Sequence, residues 1–403
     1  MAMNLGALKQ RDFRLYILGN IFALQGLWIQ RITIGWLAWN LTGSASFVGL
    51  VAFVNYAPTL FVGPLFGVLT DRVRLKPAAV LVQACQLMIA TGLFAGFAAG
   101  WLGTTLLLVV ALASGFAAAA YNPIRMSLAP RLVPREHVAS VVTLVAINFN
   151  LARLSGPAIG GVLIATSGVG TTLAVQALCY IPFTLALLFL HPRESRQNEA
   201  DPTSFLRAFS DGILHVWKTV LIRNAILITG IFAFTIRGVL EVLPVVADGV
   251  FEQGAVGLGL LTSAGGAGAL VAGFSKALRP AQIEGHLPGW ALAVVLFGLT
   301  TTAALGFVTF WPLAVGLVAV LGFAASFSGI TLQTAIQMEL PDELRGRVMS
   351  LWVMFAIGAS AMGALVLGRL IDLVGFRAAL SSTGLLAMLA MLPFLLARRK
   401  RRF

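Results

Sequence analysis

Long apolar stretches separated by short polar segments run through the whole sequence. A helix needs about 20 apolar residues to cross the roughly 30 Å of bilayer hydrocarbon, and lipid offers backbone amides no other hydrogen-bonding partner. We therefore predict an all-α membrane protein with twelve transmembrane helices. The predicted spans are 15–39, 46–69, 78–100, 103–123, 139–165, 168–190, 223–246, 255–277, 289–308, 310–334, 347–371 and 375–397.

The distribution of charge sets the expected orientation. Of the 403 residues, 59% are hydrophobic and 11% are charged, and the net charge is +13. In a soluble protein such a charge would indicate nucleic-acid binding. Here Lys and Arg concentrate in the even-numbered loops and in the tail at 398–402, which is the positive-inside pattern. We expect no nucleic-acid partner, a multi-pass protein of the bacterial cytoplasmic (inner) membrane, and both termini in the cytoplasm.

The residues of common catalytic and metal sites are scattered. Cys85 and Cys179 lie inside apolar stretches, and the four histidines have no metal-ligand spacing. The sequence contains no phosphate-binding loop of the G-x-x-x-x-G-K-S/T type. We expect no metal, no cofactor and no enzymatic activity; a membrane-embedded enzyme is a remote alternative, because it needs a cluster of catalytic side chains.

The chain reads as two related halves. Residues 1–190 and 223–403 each hold six predicted spans, and 191–222 form a polar central loop on the cytoplasmic side. Gly363 and Gly368 follow Gly156 and Gly161 by 207 residues, as Pro341 follows Pro134. A duplicated six-helix unit is typical of secondary transporters, whose substrate site lies between the repeats near the midplane.

A charged loop motif follows the second span. Gly67, Asp71, Arg72 and Lys76 match the pattern G-x-L-x-D-R/K-x-G-R/K-R/K, although Arg74 stands where that pattern has glycine. On this motif the chain resembles the major facilitator superfamily. The resemblance implies two six-helix pseudo-repeats and a conformational gate on the cytoplasmic side. The alternative is a charge cluster that only fixes membrane topology.

A second motif lies in the fifth span. Gly156, Pro157, Gly160 and Gly161 are similar to the G-P-x-x-G-G signature of exporters in this superfamily. Gly156 and Gly160 form a G-x-x-x-G face that lets a neighbouring helix approach closely, and Pro157 removes a backbone donor. The alternative is packing with no further role.

Two longer segments resemble one branch of the superfamily. Residues 28–51 and 237–251 are similar to the enterobactin-exporter and macrolide-efflux branch, the transmembrane secretion effectors. This resemblance implies a secondary active transporter that exports an amphipathic small molecule, such as a siderophore, a drug-like compound or a lipid-like compound, by alternating access. The transporter is either coupled to protons or works without coupling, as a facilitator or a lysophospholipid flippase. We expect the protein to be a monomer.

Charged side chains within the predicted spans are the candidate site residues. A charge at mid-bilayer costs about 2.5–3.5 kcal/mol on insertion scales, so each needs a compensating role. Arg31 lies 11 residues after Asn20, on the same helical face, and Arg153 shares a face with Asn150. We expect them either to line a cavity for an anionic substrate or to bond neighbouring helices. Arg237 and Glu241 are spaced i,i+4, and Glu241 is either a proton site or a structural partner of Arg237.

Overall fold

In the computed structural model of the chain, every regular element of the described residues, 6–193, 213–278 and 287–400, is helical. The α-helices are α1 (Arg11–Thr42), α2 (Ala45–Arg72), α3 (Leu75–Ala98), α4 (Thr104–Leu128), α5 (Val138–Leu188), α6 (Val220–Phe232), α7 (Gly238–Glu241), α8 (Gly254–Leu278), α9 (Gly289–Leu305), α10 (Trp311–Glu339), α11 (Asp342–Val374) and α12 (Phe376–Lys400). Short 3₁₀ turns cover Gly6–Lys9, Ala129–Leu132 and Arg135–His137, and π-helical turns cover Ala233–Arg237 and Val245–Val250.

Within these described residues, nine helical segments are long and apolar enough to cross a membrane. One of them, Arg135–Leu188, contains two predicted spans, because α5 is interrupted at Gly168. The helix α9 is apolar but shorter, and α1 has the length of a span but carries Asn, Gln and Arg side chains. Each of the twelve predicted spans therefore coincides with helix, and the predicted all-α membrane fold is confirmed.

The environment of the side chains fits lipid as the solvent. Large apolar residues such as Phe61, Leu81 and Leu278 are 71%, 64% and 82% exposed, which would be costly in water. Many threonine hydroxyls donate to the carbonyl four residues earlier, as Thr33 does to Ile29 at 2.7 Å. Such bonds satisfy the hydroxyl inside its own helix, so the spans tolerate it.

Two compact units make up the described chain. Unit 1 comprises the described residues of Met1–Thr42, Ala57–Glu199 and Gln253–Ser263. Its core is built mainly from α1, α3, α4 and α5, and includes the fully buried Phe13, Tyr16, Tyr180 and Phe183. Unit 2 comprises the described residues of Gly43–Tyr56, Ala200–Glu252 and Ala264–Phe403, and its core combines α6, α9, α10, α11 and α12.

Glycines in the left-handed region repeat between the halves. Gly168 interrupts α5 at φ 80°, and Gly375, 207 residues later, separates α11 from α12 at φ 82°. Gly43 precedes α2 at φ 59°, and Gly254, 211 residues later, begins α8 at φ 59°. Side chains with a Cβ rarely adopt this conformation, so the turn at Gly168 and its repeat at Gly375 both use glycine. The two six-helix pseudo-repeats are thus visible in the backbone.

Candidate functional site

A chain of buried side-chain hydrogen bonds joins three helices of unit 1. Asn148 of α5 donates from Nδ2 to Oδ1 of Asn20 at 3.1 Å, and Asn20 of α1 donates to the hydroxyl of Tyr121 in α4 at 2.8 Å. Asn20 and Asn148 are 0% and 8% exposed. On the same turn of α1, Gly19 lies against the backbone of Phe183 in the part of α5 that follows Gly168, where a Cβ would come within 2.9 Å of that residue's Cα. The candidate Asn20 therefore lies in a buried polar network.

An arginine that sequence analysis missed lies beside this network. The guanidinium carbon of Arg125 is 5.9 Å from the ring centroid of Tyr121 and 5.3 Å from that of Phe149. The predicted fourth span ends at 123 and assigns Arg125 to a loop, but α4 continues through Pro123 to Leu128. The signal was the apolar sequence that continues after Pro123, because transmembrane helices accommodate proline. We call Asn20, Tyr121, Arg125 and Asn148 the polar cluster of unit 1.

Arg31, Arg153 and Asn150 lie elsewhere in unit 1. Arg31 is exposed, and its guanidinium carbon is 5.4 Å from the ring centroid of Trp28, whereas Asn20 on the same helix is buried. Eleven residues separate the two by about 16 Å along the axis, so sharing a face does not bring them together. Arg153 is half-buried in α5, and Asn150 donates to the carbonyl of Ala146 at 2.8 Å.

The candidate carboxylate lies in unit 2. The hydroxyl of Tyr56 in α2 donates to Oε1 of Glu241 at 2.8 Å. Arg237 precedes Glu241 by four residues, and its guanidinium carbon is 5.7 Å from the ring centroid of Phe232. Gly329 of α10 provides space for this arginine, because a Cβ there would lie 3.3 Å from its Nη2.

The seventh predicted span, 223–246, is interrupted rather than continuous. It consists of α6, the π-helical turn Ala233–Arg237 and the short α7, and a second π-helical turn follows at Val245–Val250. Turns of this type occur often at functional sites. Here the first one ends at Arg237, directly before the segment that carries Glu241.

The glycines of the fifth span lie against two different helices. A Cβ on Gly156 would meet Cβ of Trp28 at 2.6 Å, and one on Gly160 would meet Cγ2 of Ile32 at 2.7 Å, both in α1. A Cβ on Gly161 would meet the carbonyl oxygen of Ala255 in α8 at 2.5 Å. The motif therefore allows close approach on two faces of one helix.

The same contacts recur in unit 2 at the repeat offset. A Cβ on Gly363 would clash with the backbone of Phe234, and one on Gly368 would clash with that of Ala45 in α2. The first of this pair thus lies against the opening span of its half, as Gly156 does. The second lies against the second span of the other half, as Gly161 does, so the duplicated glycines have duplicated neighbours.

The charged loop motif is only partly described. The side chains of Gly67, Asp71 and Arg72 lie outside the described residues, and Lys76 is half-buried in the first turn of α3. Arg74, which stands where the family pattern has glycine, has φ −68° and ψ 118°. This is ordinary extended backbone, so the departure from the pattern requires no strain.

A carboxylate that sequence analysis did not select caps α2. Asp372 of α11 accepts hydrogen bonds from the Ser44 hydroxyl at 2.7 Å and from the backbone N–H groups of Ala45 and Ser46 at 2.9 Å each. The Ser44 hydroxyl in turn accepts from the N–H of Phe47 at 3.2 Å. Asp372 therefore pairs with amides that α2 itself leaves unsatisfied.

Comparison with known proteins identifies relatives along nearly the full chain. It is 23% identical over 388 residues to the staphyloferrin A transporter of Staphylococcus aureus, covering 93% of each chain. It is 25% identical over 376 residues to the multidrug efflux pump Tap of Mycobacterium tuberculosis, covering 90% of this chain and 88% of Tap. It is 27% identical over 372 residues to the enterobactin exporter EntS of Citrobacter koseri, covering 91% and 84%.

The fold and the family agree with these relatives. The crystal structure of the nucleoside transporter NupG matches with a TM-score of 0.73 at 14% identity, over 96% of this chain and 98% of that chain, which shows the fold alone. The signature of the transmembrane secretion effectors matches residues 2–401. The prediction of a multi-pass transporter rather than an enzyme is confirmed. The chain therefore belongs to the transmembrane secretion effector family of the major facilitator superfamily.

Proposed function

We propose that this transporter exports an amphipathic small molecule from the cytoplasm across the bacterial inner membrane, with both termini in the cytoplasm. Residues 1–190 and 223–403 act as the two moving halves of an alternating-access cycle, and 191–222 connect them. The chain works as a monomer. The family match over residues 2–401 carries this proposal, because its members are secretion effectors.

The cargo class follows from relatives of two kinds. These relatives are a staphyloferrin A transporter, an enterobactin exporter and a multidrug efflux pump. Siderophores and many drug-like molecules combine an apolar body with oxygen-rich polar groups. We propose such a molecule with an anionic group as the cargo, and Arg31, Arg153 and Asn150 as candidates for contacting it. A lysophospholipid carried by an uncoupled flippase is the second candidate, since it shares this amphipathic chemistry.

Glu241 is our candidate for proton coupling. Tyr56 belongs to the first half of the sequence and Glu241 to the second, so their 2.8 Å hydrogen bond joins the halves within unit 2. A hydrogen bond to a carboxylate contributes about 1 kcal/mol more than one to a neutral group. Protonation of Glu241 would weaken the bond by that amount. A difference of about 1 kcal/mol changes the ratio of two conformations about fivefold.

The test is transport into inside-out proteoliposomes with an imposed pH gradient. The panel holds enterobactin, staphyloferrin A, a macrolide, ethidium and lysophosphatidylglycerol. We expect gradient-driven uptake of at least one anionic compound by the wild type. Glu241→Gln should lose the gradient-driven component and retain downhill exchange. Glu136→Gln is the matched control, because Glu136 is exposed in the loop before α5.

The other outcomes are equally specific. Equal transport by wild type and Glu241→Gln, with or without the gradient, would reduce Glu241 to a structural residue. Movement of lysophosphatidylglycerol alone under those conditions would favour the flippase. No movement of any compound would contradict the export of siderophore-like or drug-like cargo.

A further inference from the structure

Arg125 differs from the other arginines of unit 1 in its surroundings. Its Nε is fully buried with no hydrogen-bond partner, and no carboxylate within the described parts of the chain forms an ion pair with it. Arg193 provides the contrast: its guanidinium donates to the carbonyls of Pro130 and Val133. Arg193 therefore has the partners of a structural arginine, whereas the charge of Arg125 lacks a counter-charge among these residues.

The aromatic rings offset only part of the cost of withdrawing the half-buried Arg125 from water. Each ring contact, with Tyr121 and with Phe149, contributes about 0.5–2 kcal/mol. Neither ring accepts a strong hydrogen bond from the guanidinium. A guanidinium has five N–H donors in a planar fork that matches the two oxygens of a carboxylate or phosphate. The arrangement leaves that fork available to such a group.

The polar cluster of unit 1 has a surplus of donors. Along the chain from Asn148 to Asn20 to Tyr121, each amide donates to the next group, so the Tyr121 O–H is left to donate. Reversing both amides would only move the spare donor to Asn148. A ligand that completes this set must supply acceptors.

An apolar surface adjoins these donors. The ring of Phe149 has Arg125 at 5.3 Å and the indole of Trp28 at 5.9 Å, in an edge-on arrangement. The indole Nε1 of Trp28 is a further buried donor without a partner. Trp28 is buried with Phe149 in one hydrophobic cluster, whereas Phe149 itself is half-buried, so its ring is the apolar group beside the Arg125 fork that suits the body of an amphipathic molecule.

We propose that Arg125, with the hydroxyl of Tyr121, binds an anionic oxygen group of the cargo while Phe149 contacts its apolar body. This inference rests on the proposed transport of an amphipathic molecule, and it adds an anion-binding group on α4 to the proposed contacts from Arg31 and Arg153. The shared chemistry is a carboxylate, catecholate or phosphate oxygen. A free acid and a lipid headgroup both present it.

The test is equilibrium binding to the full-length protein in nanodiscs, without a gradient. The probes are rhodamine B and its ethyl ester, which differ only in the free carboxylate, and binding is read by fluorescence anisotropy. We expect the wild type to bind the acid at least about tenfold more tightly than the ester, since a hydrogen bond to a charged group is worth roughly one tenfold step or more. Arg125→Gln should abolish this preference.

Three further variants separate recognition from folding. Arg125→Lys keeps the charge without the planar fork and should retain part of the preference. Tyr121→Phe removes one donor and should weaken acid binding about threefold to tenfold with ester binding unchanged. Arg377→Gln is the matched control, because Arg377 also lies over a ring, that of Phe307 at 4.5 Å, in unit 2. If Arg125→Gln does not fold, the lysine and Tyr121 variants still decide the question.

Competition identifies the source of the anion. Displacement of rhodamine B by 2,3-dihydroxybenzoate indicates a free acid, and displacement by lysophosphatidylglycerol indicates a lipid phosphate. Displacement by neither, equal binding of acid and ester by the wild type, or an unchanged preference in Arg125→Gln would overturn the proposal. This assay measures binding and not transport. A failure of the proposed export or proton coupling can therefore be distinguished from a failure of anion binding at Arg125.

Discussion

Removing one oxygen acceptor from Asp372 should release the start of α2. In Asp372→Asn only one oxygen remains, so the two bonds that Oδ2 accepts, from the Ser44 hydroxyl and the Ser46 N–H, are lost even if Oδ1 keeps its bond to Ala45. Asp372 is exposed, so we take each bond to be worth about 1 kcal/mol, below the roughly 1.5–3 kcal/mol that is typical of hydrogen bonds to charged groups. The loss is then about 2 kcal/mol, or a factor of about 30 in the opening equilibrium.

Hydrogen exchange measures this opening directly. In nanodiscs and under conditions where exchange reports the opening equilibrium, the amides of residues 45 and 46 should exchange about 30-fold faster in Asp372→Asn than in the wild type. Asp12→Asn is the control: Asp12 accepts the N–H of His191 at 2.8 Å in unit 1, so the start of α2 should be unchanged. Exchange at 45 and 46 within threefold of the wild type in Asp372→Asn would refute the assignment of this carboxylate as their acceptor.

Four other substitutions test contacts and turns of the repeats. Gly161→Ala should lower the thermal unfolding midpoint by several degrees, because the new Cβ would meet the carbonyl of the facing helix at 2.5 Å, whereas Gly92→Ala, which meets nothing within 4 Å, should not. Tyr56→Phe should reduce gradient-driven transport in proteoliposomes and spare downhill exchange, since it removes the donor to the carboxylate; an unchanged response to pH would count against that role. Gly168→Ala and Gly375→Ala should each cost about 1–2 kcal/mol in unfolding assays, because both positions have positive φ, and a neutral effect at either would contradict the described turn.

The sequence was sufficient for the architecture and for the family. Lipid removes every backbone partner except the helix itself, so apolar length alone predicts the spans. The 207-residue offset between the two halves was also recognisable in the sequence. The positive φ angles of Gly168 and Gly375 show that equivalent positions share backbone conformation as well. The spacing of Gly156 and Gly161 identified them as packing residues. It did not identify the helices that they contact, because spacing along one helix does not show which neighbour faces it.

The candidate site was less predictable, for two physical reasons. Charge inside a span marks a residue for attention but does not report its partners: Glu241 was selected, while its donor Tyr56 lies 185 residues earlier. Span boundaries drawn from hydropathy also end at Pro123, so Arg125 was assigned to a loop although α4 runs on. The partner of Glu241 is tertiary information, since a hydrogen bond between distant helices is not fixed by local sequence. Arg125 was missed for another reason, because the span was ended at Pro123 although the sequence after it remains apolar.

The repeat offers a way to recover such residues, because positions 207 apart share a backbone environment from α4 onward. The helices α4 and α10 begin at Thr104 and Trp311, one offset apart. At that offset Arg125 corresponds to Leu332, Asn148 to Phe355 and Tyr121 to Ser328, so the second half has no charge where the first has Arg125. Packing requirements common to both halves cannot explain a charge found in only one of them. The asymmetry therefore supports the proposed role of Arg125 in binding the cargo, because the scaffold shared by the two halves does not require this charge.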